Sequence, residues 1–151
     1  MRHSKAGKAF TALVLETFRL NGRLLLAGDR IAGPLQLTSA RWQVLGAIEE
    51  QSLSVAQIAR KLGLARQNVQ RLADSLQEEG FVSYAPNPRH ARAKLLRLTS
   101  RGMRAVKALG EREVVWANRI ASAVSAGQLE LVVDAITKLR VRLDTDRAEL
   151  N

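Results

Sequence analysis

The 151-residue chain has no cysteine, which excludes disulfides, thiolate metal sites, cysteine nucleophiles and thiol redox sensing together. Any response to peroxide would have to run through Met1, Met103 or an external ligand. Histidine is nearly as scarce: His3 sits in the terminal stretch and His90 in a predicted turn. With no HExxH, P-loop or GxGxxG pattern and no nucleophile–base pair, the sequence predicts no catalytic residue, no metal, no cofactor and no enzyme. Three prolines and 4% aromatic residues point to helices packed with Ala, Leu and Val. Apolar runs such as Leu24 to Ala27 fall far short of the ~18 residues that span a bilayer. The basic start of the chain leads into alternating apolar and polar residues, without the apolar core of a signal peptide. These absences predict a cytoplasmic chain with no membrane partner.

Acidic residues are also in deficit, 14 against 24 Lys and Arg, for a formal charge of +10. Such a balance suits a polyanionic partner. The composition, 46% hydrophobic and 25% charged, is that of a globular protein, and the length predicts a single domain over 1–151. The excess charge is local. Pro86 to Arg104 holds six basic residues (Arg89, Arg92, Lys94, Arg97, Arg101 and Arg104) and no acid, whereas Ala105 to Asn151 balances seven against seven.

Periodicity supplies the context for that charge. Phe10, Leu13, Val14, Thr17 and Phe18 fall at helical spacing in a helix from about Lys5 to Ala32, which Gly33-Pro34 should end. Thr38-Ser39 caps a short helix reaching about Glu50, and Ser54 with Gln57 reads as a capping box for a helix that stops at Gly63. Leu64 to Glu79 carries Val69, Leu72, Ala73 and Leu76 on one stripe, with Gly80 as the C-cap. Two short helices joined by a Gly-containing turn form a helix-turn-helix candidate. Phe81 to Tyr84 and Lys94 to Leu98 read as strands of a hairpin with a basic tip. Helices then follow from about Arg101 to Ala123 and Ala126 to Leu150. The stripe of Leu129, Val132, Val133, Ile136, Leu139 and Leu143 is too long for a small domain to cover, which predicts a homodimer.

The buried stripe turns Gln67 and Arg71 outward, with Asn68 and Gln70 on the flanks and Arg66 in the first turn. Arg reads guanine and Asn or Gln reads adenine in the major groove. Their concentration in the first half of the helix suits a recognition helix entering by its N-terminal end. Asp74, Glu78 and Glu79 would be repelled by phosphates and should point away. An ordinary amphipathic helix also shows a polar outer face, but here Arg89, Arg92 and Lys94 lie where a wing would flank the duplex. An arginine at such a tip suits a narrow minor groove. An architectural or non-specific nucleic-acid-binding protein accounts for the charge equally well, but has little use for base-reading side chains.

The runs Leu37 to Leu45, Ile58 to Leu72, Gly80-Phe81-Val82 and Leu98-Thr99-Ser100-Arg101-Gly102 together resemble the MarR family of bacterial transcriptional regulators. The resemblance spans roughly residues 5 to 148 and keeps the order of every element. It implies a mainly α winged helix-turn-helix protein, with a DNA-binding lobe at 37–100 and interlocking dimerisation helices at 5–32 and 101–150. It further implies a homodimer on a pseudo-palindromic double-stranded operator, most simply a repressor released by a small-molecule effector. Arg41, Trp42 and residues of the first helix would line the effector site, although Trp42 on an apolar face reads first as core. The chain departs from the family's wing pattern, Asn-Pro-Asp-Asp-Arg-Arg-Ala-Lys: it has Asn87-Pro88-Arg89-His90-Ala91-Arg92-Ala93-Lys94, without either acid. Ala65 also replaces the hydroxyl residue that commonly opens the recognition helix.

Overall fold

The computed structural model describes residues 2–90 and 92–149, without the side chains of 147–149, and most of them are helical. Met1, Ala91 and Leu150, the expected end of the last helix, lie outside the described residues. Two compact units divide the chain at residue 112.

The first unit opens with α1, Lys5–Ala32, capped by Ser4, whose Oγ accepts from the Gly7 amide at 3.0 Å. As expected, α1 stops before Gly33-Pro34, but glycine does not supply the left-handed residue. Gly33–Leu35 form one 3-10 turn, and Gln36 takes the positive φ of 60°. The next helix, α2, is Ser39–Ala47, with Thr38 Oγ1 accepting from the Arg41 amide. It ends three residues short of expectation, where the Ile48 amide bonds back to Leu45. The α1–α2 contact is close. A methyl group at Gly28 would lie 2.5 Å from Ser39 Oγ, while Asp29 Oδ1 accepts from the Ser39 amide at 2.7 Å.

Residues 53 and 54 form β1, Leu53–Ser54, a strand too short for alternation to reveal. The capping box on α3, Val55–Leu62, is present in both directions: Ser54 Oγ accepts from Gln57 N, and Gln57 Oε1 accepts from Ser54 N. Gly63 ends α3 at φ 66°. The next helix, α4, covers Arg66–Glu78 and buries Val69, Ala73 and Leu76 completely, with Leu72 half-buried. The two further strands are β2, Val82–Ala85, and β3, Leu95–Leu98. The sheet order is β1-β3-β2, all antiparallel, with Leu53 opposite Leu96 and Val82 opposite Leu98. The predicted hairpin is therefore part of a three-stranded sheet. Leu45, Ile58, Leu76, Leu96 and Leu109 fill the core of this unit.

The Leu-Thr-Ser-Arg-Gly run has a structural explanation. Thr99 Oγ1 donates toward the carbonyls of Gly80 and Phe81, at 2.6 and 3.1 Å, and accepts from the Gly102 amide, which opens α5, Ser100–Ala121. Arg101 donates to the Glu79 carbonyl at 2.8 Å and lies 4.4 Å from the centre of the Phe81 ring. Gly102 permits this approach, since a methyl group there would lie 2.1 Å from the Phe81 oxygen.

The second unit holds the end of α5 and α6, Ala126–Glu149. Ser125 and Gln128 form a capping box for α6 that the sequence reading passed over. Along α6, Leu131, Val132, Val133, Ile136 and Leu143 are exposed, and Leu139 is half-buried. No single helix among the described residues is long and apolar enough to cross a membrane.

Candidate nucleic-acid interface

Burying Val69, Ala73 and Leu76 fixes the rotation of α4, so that Arg66, Gln67, Asn68 and Arg71 are exposed. Gln70 is half-buried: its Nε2 donates to Asp74 Oδ1 and to Tyr84 Oη, each at 2.8 Å, and Tyr84 Oη donates to the same Asp74 oxygen at 2.9 Å. Burial, reinforced by the Asp74 carboxylate, pushes the Tyr84 hydroxyl up to about 12. Ala65 occupies the N-cap with extended backbone and makes no side-chain cap.

Between β2 and β3 the wing is tied by Asn87. Its Nδ2 donates to the Ala93 carbonyl at 2.9 Å and its Oδ1 accepts from the Arg89 amide at 3.0 Å. Arg89, Arg92 and Lys94 are exposed. Among the described residues no carboxylate pairs with Arg66, Arg71 or these three wing cations.

Two open clefts join the helix to the wing. One, of about 520 Å³, is lined by Ser54, Arg66, Gln70, Tyr84, Arg92 and Lys94 among others. The second, about 680 Å³, is lined by Arg60, Arg66, Asn87, Arg89 and His90 among others. Arg66 is common to both, so the structure gathers it with all three predicted wing cations. Gln67, Asn68 and Arg71 line neither cleft and stand exposed on α4. Sequence reasoning placed Asn87 and His90 in the wing without naming them as site residues, and missed Arg60 and Tyr84 as parts of this surface. The excess of Lys and Arg over acid pointed toward Arg60, and the Asn-Pro turn toward Asn87, whereas Tyr84 read only as a strand residue.

Arg41, an expected effector contact, is held by three partners within the chain. Its Nη2 pairs with Glu79 Oε1 at 2.5 Å, its Nη1 donates to the Gln36 carbonyl, and its guanidinium lies 5.9 Å from the Phe81 ring centre. Trp42 is half-buried.

A sequence model of the MarR family matches residues 35–93, from the end of the 3-10 turn into the wing. An uncharacterized protein of Mycobacterium tuberculosis is 38% identical over 135 residues, covering 89% of this chain and 94% of the relative. The chain belongs to the MarR family. Two solved structures at lower identity share this winged-helix fold. CouR from Rhodococcus jostii RHA1, bound to p-coumaroyl-CoA, matches with a TM-score of 0.76 at 22% identity, over 84% of this chain and 90% of its own. The M. tuberculosis transcriptional regulator MOSR in complex with DNA matches with a TM-score of 0.72 at 19% identity, over 86% and 96%. The family match ends within the wing, so in this MarR-family chain the strand β3 and the Thr99–Gly102 junction lie beyond the matched segment.

Proposed function

We propose that this chain is a sequence-specific regulator of transcription that binds double-stranded DNA as a homodimer, repressing from a pseudo-palindromic operator until a small-molecule effector releases it. The observation that carries the reading is the exposure of Gln67, Asn68 and Arg71 along the first half of α4, beside cationic clefts where Arg66 meets Arg89, Arg92 and Lys94. Base-reading groups then face the major groove, and the wing cations supply phosphate or minor-groove contacts. The MOSR–DNA complex supports the partner by likeness of fold, and CouR with its bound acyl-CoA supports the idea of an effector. Release requires an effector that binds the DNA-free conformation more tightly than the DNA-bound one.

The exposed apolar residues support the dimer. On α1, Leu15, Phe18, Leu20 and Leu26 are more than half exposed, and on α6 so are Leu131, Val132, Val133 and Leu143. Apolar stripes of this extent mark interfaces in soluble proteins. Selection of bound sequences from a random DNA library, with the specificity ratio measured at stated salt, tests the reading. A recovered palindrome bound ~10³-fold or more above random DNA supports it. A uniform affinity for all sequences would instead make the chain an architectural or non-specific binder.

A further inference from the structure

Glu79, the C-cap of α4, is grasped by two arginines from different elements. Its carboxylate pairs with Arg41 of α2, Nη2 to Oε1 at 2.5 Å, and its carbonyl accepts from Arg101 Nη1 of α5 at 2.8 Å. The same two guanidiniums lie 5.9 and 4.4 Å from the ring centre of Phe81, two residues on. Arg41 also reaches backwards: its Nη1 donates to the carbonyl of Gln36, the left-handed residue of the turn that follows α1. The Arg41 side chain is 12% exposed and that of Glu79 40%, Arg41 Nε has no acceptor among the described residues, and no other carboxylate among them pairs with Arg41. Stability does not account for such a pair: water screens the open carboxylate, and taking the guanidinium out of water offsets much of the attraction. Direction does. The stripe of Val69, Ala73 and Leu76 seats α4 by burial, which is non-directional, and Ala65 supplies no side-chain cap at the front end.

From this geometry we infer that Arg41 and Glu79 are positioning residues for base readout: a tie from α2, and from the turn behind it, fixes the angle at which α4 presents Gln67, Asn68 and Arg71. The inference rests on the DNA-binding reading of α4 proposed above. The thirteen residues of α4 make a lever about 20 Å long, so a swing of about 3° at Glu79 carries the Arg66 end about 1 Å sideways. Hydrogen bonds to base edges tolerate only about 0.5 Å. Side chains at the front of α4 then lose register with the bases, whereas the long side chains of wing arginines and lysine can still follow the phosphates. Arg41 and Glu79 line neither cleft, so they act on readout through the pose of α4 and not by touching the duplex.

The experiment compares the full-length wild type with two variants. Arg41→Met/Glu79→Met removes the tie at unchanged net charge, and Arg41→Lys keeps the charges of the pair but has a single nitrogen, which cannot serve Gln36 and Glu79 as the fork does. Three quantities are read: the urea midpoint, the affinity for the operator selected by the wild type, and the affinity for random duplex at the same salt. The double variant is expected to keep a midpoint near wild type, because an apolar pair replaces an ionic one, and to keep its affinity for random duplex, because the charge is unchanged. Its operator affinity should fall roughly tenfold or more, the size of one base contact. Arg41→Lys should show the same split, and it carries the test if the double variant does not fold. The inference is overturned if a folded variant keeps the wild-type ratio of operator to random affinity, or if the two affinities fall in step. It is also overturned if neither variant folds, since the pair is then structural. A wild-type selection that enriches nothing is a different result: it removes the DNA reading of α4 itself, and this inference with it.

Discussion

Gln67 and Arg71 reach solvent from a helix whose opposite face is fully buried, so neither has a packing role to lose. Replacing either with alanine should leave the fold intact and cost ~1–3 kcal/mol per half-site, with preference relaxed at particular base pairs. Quantitative binding to a panel of single-base operator variants checks this, and equal weakening across the panel would assign the residue to phosphate. Arg92 is a different case. No carboxylate braces it among the described residues, and the nearby Arg89 amide is fixed by Asn87. If Arg92 enters the minor groove, Arg92→Ala should weaken binding most on operators with A·T-rich flanks, where the groove is narrow and its potential deep. A phosphate-bound Arg92 would give a loss independent of flank, with the salt slope reduced by ~0.9 per contact. The same titrations on Arg89→Ala and the double variant show whether the wing works through Arg89 instead. Tyr84 offers a test that needs no DNA. It is the single tyrosine of the chain, so tyrosinate absorbance reports it alone. The midpoint should lie near 12 in the wild type, raised first by burial and then by Asp74, and Asp74→Ala should lower it part of the way to 10.0. Since the folded value exceeds the unfolded one, Tyr84 stabilises the fold in full below pH 10 and loses that contribution as the pH rises through 12.

At the scale of elements, α4 begins without a side-chain cap. Ala65 already has the extended conformation of an N-cap, φ −65° and ψ 135°. Ala65→Ser should therefore add a hydrogen bond to the first turn and stabilise the protein by ~0.5–2 kcal/mol, measured as a higher urea midpoint at unchanged slope. A midpoint equal to the wild type would mean that the first-turn amides are satisfied without the serine. The elements the sequence announced share this kind of local chemistry: Ser54 with Gln57, Thr38, Gly63 and Gly80 each act within four residues of the end they define. The elements it concealed depend on partners far along the chain. Strand β1 exists because Leu53 and Ser54 meet Leu96 and Leu95, about forty residues on, and no window around residue 53 contains that information. The surface divides in the same way. Arg66, Gln67, Asn68 and Arg71 were legible because one buried stripe dictates the opposite face. The engagement of Gln70 by Tyr84, and of Arg41 by Glu79, was not, because each joins separate elements.

For the whole molecule, the exposed apolar residues of α1 and those of α6 each ask for a covering partner. Sedimentation or light scattering at micromolar concentration should give twice the chain mass, and a monomer would remove the basis for a palindromic operator. In the proposed dimer an effector would have to reach the α4 surface mechanically. The place where slack would enter is the crossing of α1 with α2, and Gly28 leaves none there. Its hydrogen faces Ser39 at a distance that admits no methyl group, and Asp29 holds the Ser39 amide beside it. A joint without clearance transmits displacement instead of absorbing it. A tilt of α1 would oblige the start of α2 to travel with it, and α4, packed on α2, would follow. Gly28 is in this sense a bearing: a side chain there would pry the shaft from its seat, and in the proposed dimer the two heads would then lose the common gauge needed to meet successive turns of one duplex.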